Sequence, residues 1–135
     1  MSANPRTAYA RGAAFEREVK RVFEVHGFVV TRSPKSGGVY DLHATGRYQG
    51  REVVLLIQCK KWGFCPPYEW NALYLTATEN GAVPLIAARK PREKLFLWRL
   101  VGFKVPGTFR QPWERWELVG VFLKNTRGET DGENR

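Results

Sequence analysis

The chain has few of the residues that staple or anchor small proteins. There are 2 cysteines in 135 residues, too few for a disulfide framework. Cys59 and Cys65 form no CxxC pair and have no histidine nearby in sequence, so a structural zinc site is not expected. The longest apolar run, Val53–Ile57, is five residues, far short of the ~20 that a membrane helix needs. No apolar signal core opens the sequence, so a cytoplasmic protein with no membrane partner is expected. Acid is scarce too: Asp plus Glu number 13 against 22 Lys plus Arg, a formal net charge of +9. That balance excludes a surface built to repel polyanions and favours nucleic acid or another anionic partner.

What is present is globular. The chain is 43% hydrophobic and 13% aromatic, enough to bury a core. One domain over residues 1–125 is expected, with no internal repeat or linker inside it. Residues 126–135 hold three acids, two bases and no apolar side chain. They read as a disordered tail peripheral to any chemistry.

The periodicity predicts a helix from about Thr7 to His26. Phe15, Val19, Val22 and Phe23 form one apolar stripe, and Gly27 can close the helix. Strands are expected at Phe28–Arg32, Val39–Thr45 and Glu52–Lys61, the last being the most apolar and central. Ser33 to Gly38 reads as a loop, and Gly46 to Gly50 as a hairpin connection. Pro66 and Pro67 should open a second helix that ends at Gly81. Strands follow at Val83–Arg89 and Lys94–Phe103, joined by a turn at Lys90 to Arg92. A loop over 104–115 and a last strand at Trp116–Leu123 complete an α/β fold, a mixed central sheet flanked by helices.

Two features could carry chemistry. Asp41 falls in a strand pattern after the glycine-rich loop, and Gln58-Cys59-Lys60 ends the most apolar strand. Strand alternation puts Gln58 and Lys60 on one face and Cys59 on the other. If the two strands pair, Asp41 lies beside Gln58 and Lys60. Asp and Gln oxygens are hard ligands that suit Mg²⁺, and a lysine nearby suits phosphodiester hydrolysis. Each piece also has a plainer reading: a hydrogen-bonded Asp, a strand meeting solvent, a small core cysteine. His43 reads as structural, and His26 as a surface or capping residue. Arg11, Arg17 and Lys20 on the first helix, with Arg32, Lys35, Lys60 and Lys61, could together track phosphates without reading sequence.

Four segments in order, Arg11 to Glu18, Gly27 to Ser33, Ser36 to Leu42 and Ile57 to Lys60, resemble the Hjc-type Holliday junction resolvases. These are archaeal and viral members of the PD-(D/E)xK nuclease superfamily. The resemblance implies a restriction-endonuclease-like fold, a prokaryotic or viral protein of the host cytoplasm, and a Mg²⁺-dependent endonuclease, with Mn²⁺ as the alternative ion. On that pattern Asp41 takes the place of the metal-binding aspartate and Lys60 that of the catalytic lysine. Glu16 would complete the site, and the Cys59 backbone carbonyl would face the metal. Arg17 and Arg32 match arginines needed for activity or substrate contact, and Ser36 a loop serine near the scissile phosphate. Arg11, Lys35 and Lys61 would add DNA contacts. The second metal-binding acid is replaced here by Gln58, a neutral oxygen donor, and Tyr40 stands where the superfamily name has proline.

The resemblance implies four-way or other branched DNA as substrate and a homodimer, whose two-fold symmetry would match paired cuts. Trp98, Phe103, Trp113 and Trp116 are candidates for the dimer core, with burial inside one subunit as the plainer reading. Two further readings stand beside this one. One is a restriction- or repair-type nuclease acting on other DNA. The other is a non-catalytic junction-binding protein on a nuclease fold. No RNA-binding motif points to a ribonuclease.

Overall fold

The computed structural model describes residues 5–33, 38–89, 94–108 and 111–118, with side chains from residue 12 onward. Lys35, Ser36, the Lys90 to Arg92 turn, residues 119–123 and the 126–135 tail lie outside the described residues, as does the side chain of Arg11.

The first helix, α1 (Pro5–Val25), buries Phe15, Val19 and Phe23, the stripe that the spacing predicts. It ends as expected at Gly27, whose φ of +92° is left-handed and costs glycine little. The Phe28 N–H then bonds back to Phe23 O at 3.0 Å, which closes the helix end in the Schellman manner.

The described residues after α1 build a second helix and one sheet. Its strands are β1 (Val29–Arg32), β2 (Leu42–Tyr48), β3 (Arg51–Cys59), β4 (Val83–Ala88), β5 (Phe96–Leu100) and β6 (Trp113–Trp116), with α2 (Pro67–Glu79) between β3 and β4. The spatial order is β1-β2-β3-β4-β5-β6. All neighbours are antiparallel except β3 and β4, which are parallel. Helix α2 is the crossover that a parallel pair requires. Pro66 is its N-cap and Pro67 its first residue. Among the described residues no helix is long and apolar enough to cross a membrane.

Two expectations about strands need correcting. The predicted strand Val39–Thr45 starts only at Leu42 and runs on to Tyr48, so Asp41 lies in the bend before it. The connection to β3 is accordingly only Gln49 and Gly50, both at positive φ (52° and 83°), the primed turn that suits strand twist. Gly46 belongs to β2, where an added Cβ would stand 2.6 Å from the Phe28 ring. Residues 119–123 of the predicted Trp116–Leu123 lie outside the described residues; among the described ones the last strand is Trp113–Trp116, and Glu117 and Leu118 after it are not strand. Its position follows from its tryptophans: Trp113 stacks on Trp98 at 5.1 Å, and Trp116 stacks on Tyr48 at 4.4 Å.

Alternation along β3 divides the core. Leu55 and Ile57 pack with α1 on one face. Leu56 packs with Trp70, Leu73 and Ala77 of α2 on the other. Trp70 is fully buried, and its Nε1–H donates to Gly102 O at 3.0 Å. That bond satisfies the one polar atom a buried tryptophan brings.

Candidate active site

The apolar stretch of β3 ends at Ile57, and the polar triplet Gln58-Cys59-Lys60 follows at the edge of the core. Asp41 is joined to this end of β3 twice. Its backbone N–H donates to Ile57 O at 2.8 Å, which extends the β2–β3 ladder past the strand. Its Oδ2 accepts the Cys59 N–H at 2.8 Å. Lys60 is fixed from the other side, where its N–H donates to Ala87 O at 2.9 Å.

Both helices bring a carboxylate to this point. Glu16 of α1 pairs with Arg32 of β1, Oε1 to Nη2, at 3.0 Å. Glu69, in the first turn of α2, is ion-paired with Lys60 and accepts a hydrogen bond from Gln58 Nε2 at 3.4 Å. Asp41, Gln58, Cys59 and Lys60 form the middle of one cleft of about 430 Å³, with Glu16 and Arg32 on one wall and Tyr68 and Glu69 on the other.

The electrostatics of the cleft are uneven. Burial is the largest influence on Asp41 and pushes its carboxyl above the ordinary 3.8. The Cys59 N–H works against that shift, and the charges of Glu16 and Glu69 add to it. Lys60 is pulled down by burial, but its hydrogen bond and ion pair with Glu69 outweigh this and hold it above the ordinary value. Burial likewise opposes ionisation of Glu69, and the Lys60 ammonium overrides it to hold that carboxyl low. Lys60 and Glu69 are therefore a charged pair at neutral pH. Burial drives the Cys59 thiol far up, which makes it a poor nucleophile.

One atom speaks to a cation. Gln58 is 8% exposed, and its Oε1 is buried with no hydrogen-bond donor among the described residues. Leaving such an acceptor bare costs roughly 1–3 kcal/mol. A divalent ion at this point would satisfy it and would also favour the ionised form of Asp41. Among the described residues no group of three or more His, Cys, Asp or Glu is gathered to hold a metal. The oxygen donors that could serve one here are the Asp41 carboxylate, Gln58 Oε1, the Cys59 carbonyl and Glu16, all of residues that line the cleft. Such hard, partly neutral oxygens suit Mg²⁺ or Mn²⁺.

Of the other residues singled out in the sequence, Arg17 and Lys61 are exposed and do not line the cleft. Lys20 is paired with Glu24 at 2.7 Å. His26 Nδ1 lies 2.8 Å from Val22 O, a capping contact. Trp116 is not available to a dimer face: it is 8% exposed and packs inside the subunit because its ring fills the space between Tyr48 and Phe23. Phe103 and Trp113 remain exposed, at 52% and 40%.

The sequence reading missed Glu69 and Tyr68. An acid in the first turn of a proline-opened helix complements the helix dipole, and that use gave no reason to look further. The nearby Lys60 was the only signal that could have linked the helix to the site.

A mixed sheet with a helix on each face, and an Asp, a Gln and a Lys meeting at the end of the β2–β3 pair away from their turn, defines a restriction-endonuclease-like protein. More narrowly, the chain belongs to the archaeal Holliday junction resolvase (Hjc) family, whose model matches residues 7–106. It is 49% identical over 55 residues to the crossover junction endodeoxyribonuclease Hjc of Methanocaldococcus jannaschii. That match spans 41% of this chain and 38% of the relative's length. Among solved structures it resembles Archaeoglobus fulgidus Hjc, a Holliday junction resolvase, with a TM-score of 0.53 and 22% identity. The likeness covers 69% of this chain and 80% of that one, and at this identity it speaks to the fold.

Proposed function

We propose that this chain is a structure-selective DNA endonuclease that cleaves four-way junctions by metal-dependent phosphodiester hydrolysis. The observation that carries the reading is the meeting of Asp41, Gln58, Cys59 and Lys60 in one cleft, in a chain of the Hjc family. A bound Mg²⁺, or Mn²⁺ in its place, would supply Lewis acidity at the phosphate and lower the pKa of an attacking water. Asp41, Gln58 Oε1, the Cys59 carbonyl and Glu16 are the residues that would hold it. Lys60 orients the water and offsets negative charge as it builds on the phosphate. Arg32, at the rim beside Glu16, meets a backbone phosphate, and Arg11, Arg17, Lys35, Ser36 and Lys61 are the further candidates for DNA contact.

Such contacts read shape and charge rather than bases, which suits a junction whose sequence varies. Two symmetric cuts call for two sites, and a homodimer supplies them. The exposed apolar group of Val101, Phe103, Val105 and Trp113 is the surface that would join the copies.

The test is cleavage of a four-way junction in Mg²⁺. Paired symmetric nicks are expected, reduced by about 10²-fold or more in Asp41→Ala and Lys60→Ala. Full activity in both variants would refute the site. Equal cutting of linear duplex would move the substrate to ordinary DNA. Tight junction binding with no metal-dependent cutting would leave a binding protein on a nuclease fold.

A further inference from the structure

Position 58 carries no charge, although it stands where the resemblance expects the second acid. The cleft nevertheless holds a carboxylate within hydrogen-bond reach of that residue. Glu69 reaches it from α2 and touches both Gln58 and Lys60. A helix-dipole role or a simple ion pair with Lys60 would account for Glu69 alone. Neither accounts for the state of Gln58, which is more than nine-tenths buried. Its amide nitrogen is given to Glu69, while among the described residues its oxygen has no donor.

A carboxylate has no hydrogen to donate, so it can face only the NH₂ end of the Gln58 amide. Holding that end turns Oε1 the other way, as an acceptor for a cation. An acid at position 58 could not lie there comfortably, because two carboxylates in contact repel. Glutamine at 58 and glutamate at 69 are thus matched to each other.

We propose that Glu69 is a relocated acid. It provides from α2 the second negative charge that position 58 lacks, and it fixes the Gln58 carbonyl toward the cation. It acts through Gln58 and is a positioning residue. This inference rests on the proposed metal-dependent reading of the cleft. It adds a residue on a different element, at a site where charge count tunes cation affinity.

The test is a Mn²⁺ titration of the full chain without DNA, followed by electron paramagnetic resonance of the free ion. Glu69→Gln should weaken binding roughly tenfold or more. The exchanged double variant Gln58→Glu/Glu69→Gln should return to within about threefold of the unmodified chain. Equal binding by Glu69→Gln and the unmodified chain would overturn the proposal. So would a double variant as weak as Glu69→Gln, or an unmodified chain that binds no cation. Thermal melting of the same samples checks folding. If Glu69→Gln melts early, Glu69→Asp is read instead, where weaker binding is expected and unchanged binding again overturns the proposal. Cation binding without junction cleavage would sink the proposed function while leaving this inference standing. Junction cleavage with binding indifferent to residue 69 would do the reverse.

Discussion

Glu16 and Glu69 reach one cleft from opposite walls, but they are held by different partners. Glu16 comes from a 21-residue amphipathic helix and pairs with Arg32, whose side chain is 45% exposed. Water screens that pair, so it adds little to stability, and Arg32 stays accessible to a phosphate. Glu69 comes from the first turn of a 13-residue helix and pairs with Lys60 and Gln58, residues of the site itself. The α1 wall therefore offers charge outward to a ligand, while the α2 wall sets the geometry of the cleft's centre. Charge near a backbone phosphate tolerates loose placement; groups around a small cation do not.

That contrast can be broken most forcefully through Trp70, which anchors the α2 wall one residue after Glu69. Trp70→Ala should cost about 3–5 kcal/mol in denaturant unfolding and should cut junction cleavage beyond what the folded fraction explains. Cleavage that tracks the folded fraction alone would show that the α2 wall sets nothing in the site.

Asp41 lies in the same cleft, where burial above all, and then the charges of Glu16 and Glu69, raise its carboxyl above the ordinary 3.8. The ionised form therefore costs stability above the folded-state value, and the cost vanishes once pH falls below the unfolded value. Asp41→Asn should stabilise the cation-free protein at pH 7 by about 0.5–2 kcal/mol, with the gain fading as pH drops through the carboxylate range. A variant no more stable than the unmodified chain at pH 7 would contradict the cost that burial and the neighbouring acids place on the Asp41 charge.

The smallest expected effect belongs to the α1 wall. Arg32→Ala should change stability by less than about 1 kcal/mol and lower the slope of log affinity for a junction against log salt by about 1. An unchanged slope would mean that Arg32 serves Glu16 alone and that the outer wall does not meet DNA.

Much of the fold was legible because it follows local periodicity. The stripe of Phe15, Val19 and Phe23 marks α1, the run Val53 to Ile57 marks the central strand, and the proline pair marks the start of α2. The ends of β2 were not legible, because Val39 and Tyr40 have strand composition yet precede a ladder that begins at Leu42. The strand at Trp113 was not legible because Trp113 is held by stacking on Trp98, a partner no local window contains. Strand alternation did put Gln58 and Lys60 together, and pairing of β2 with β3 carries Asp41 to them. Glu69 escaped notice because nothing in its own helix distinguishes an acid that faces a cleft from one that faces water.

By itself, the sequence determined the alternation, helix stripes and turn signals that build these elements, and a positive charge suited to a polyanion. All of these depend on residues a few positions apart. Tertiary structure alone decided that an acid of α2 would stand against a glutamine of β3, and that Gln58 would turn its oxygen away from that acid. Such pairings depend on where the crossover helix lands on the sheet, which is set by the packing of Trp70, Leu73 and Ala77 against Leu56 and Ile86 rather than by any preference of the residues that meet.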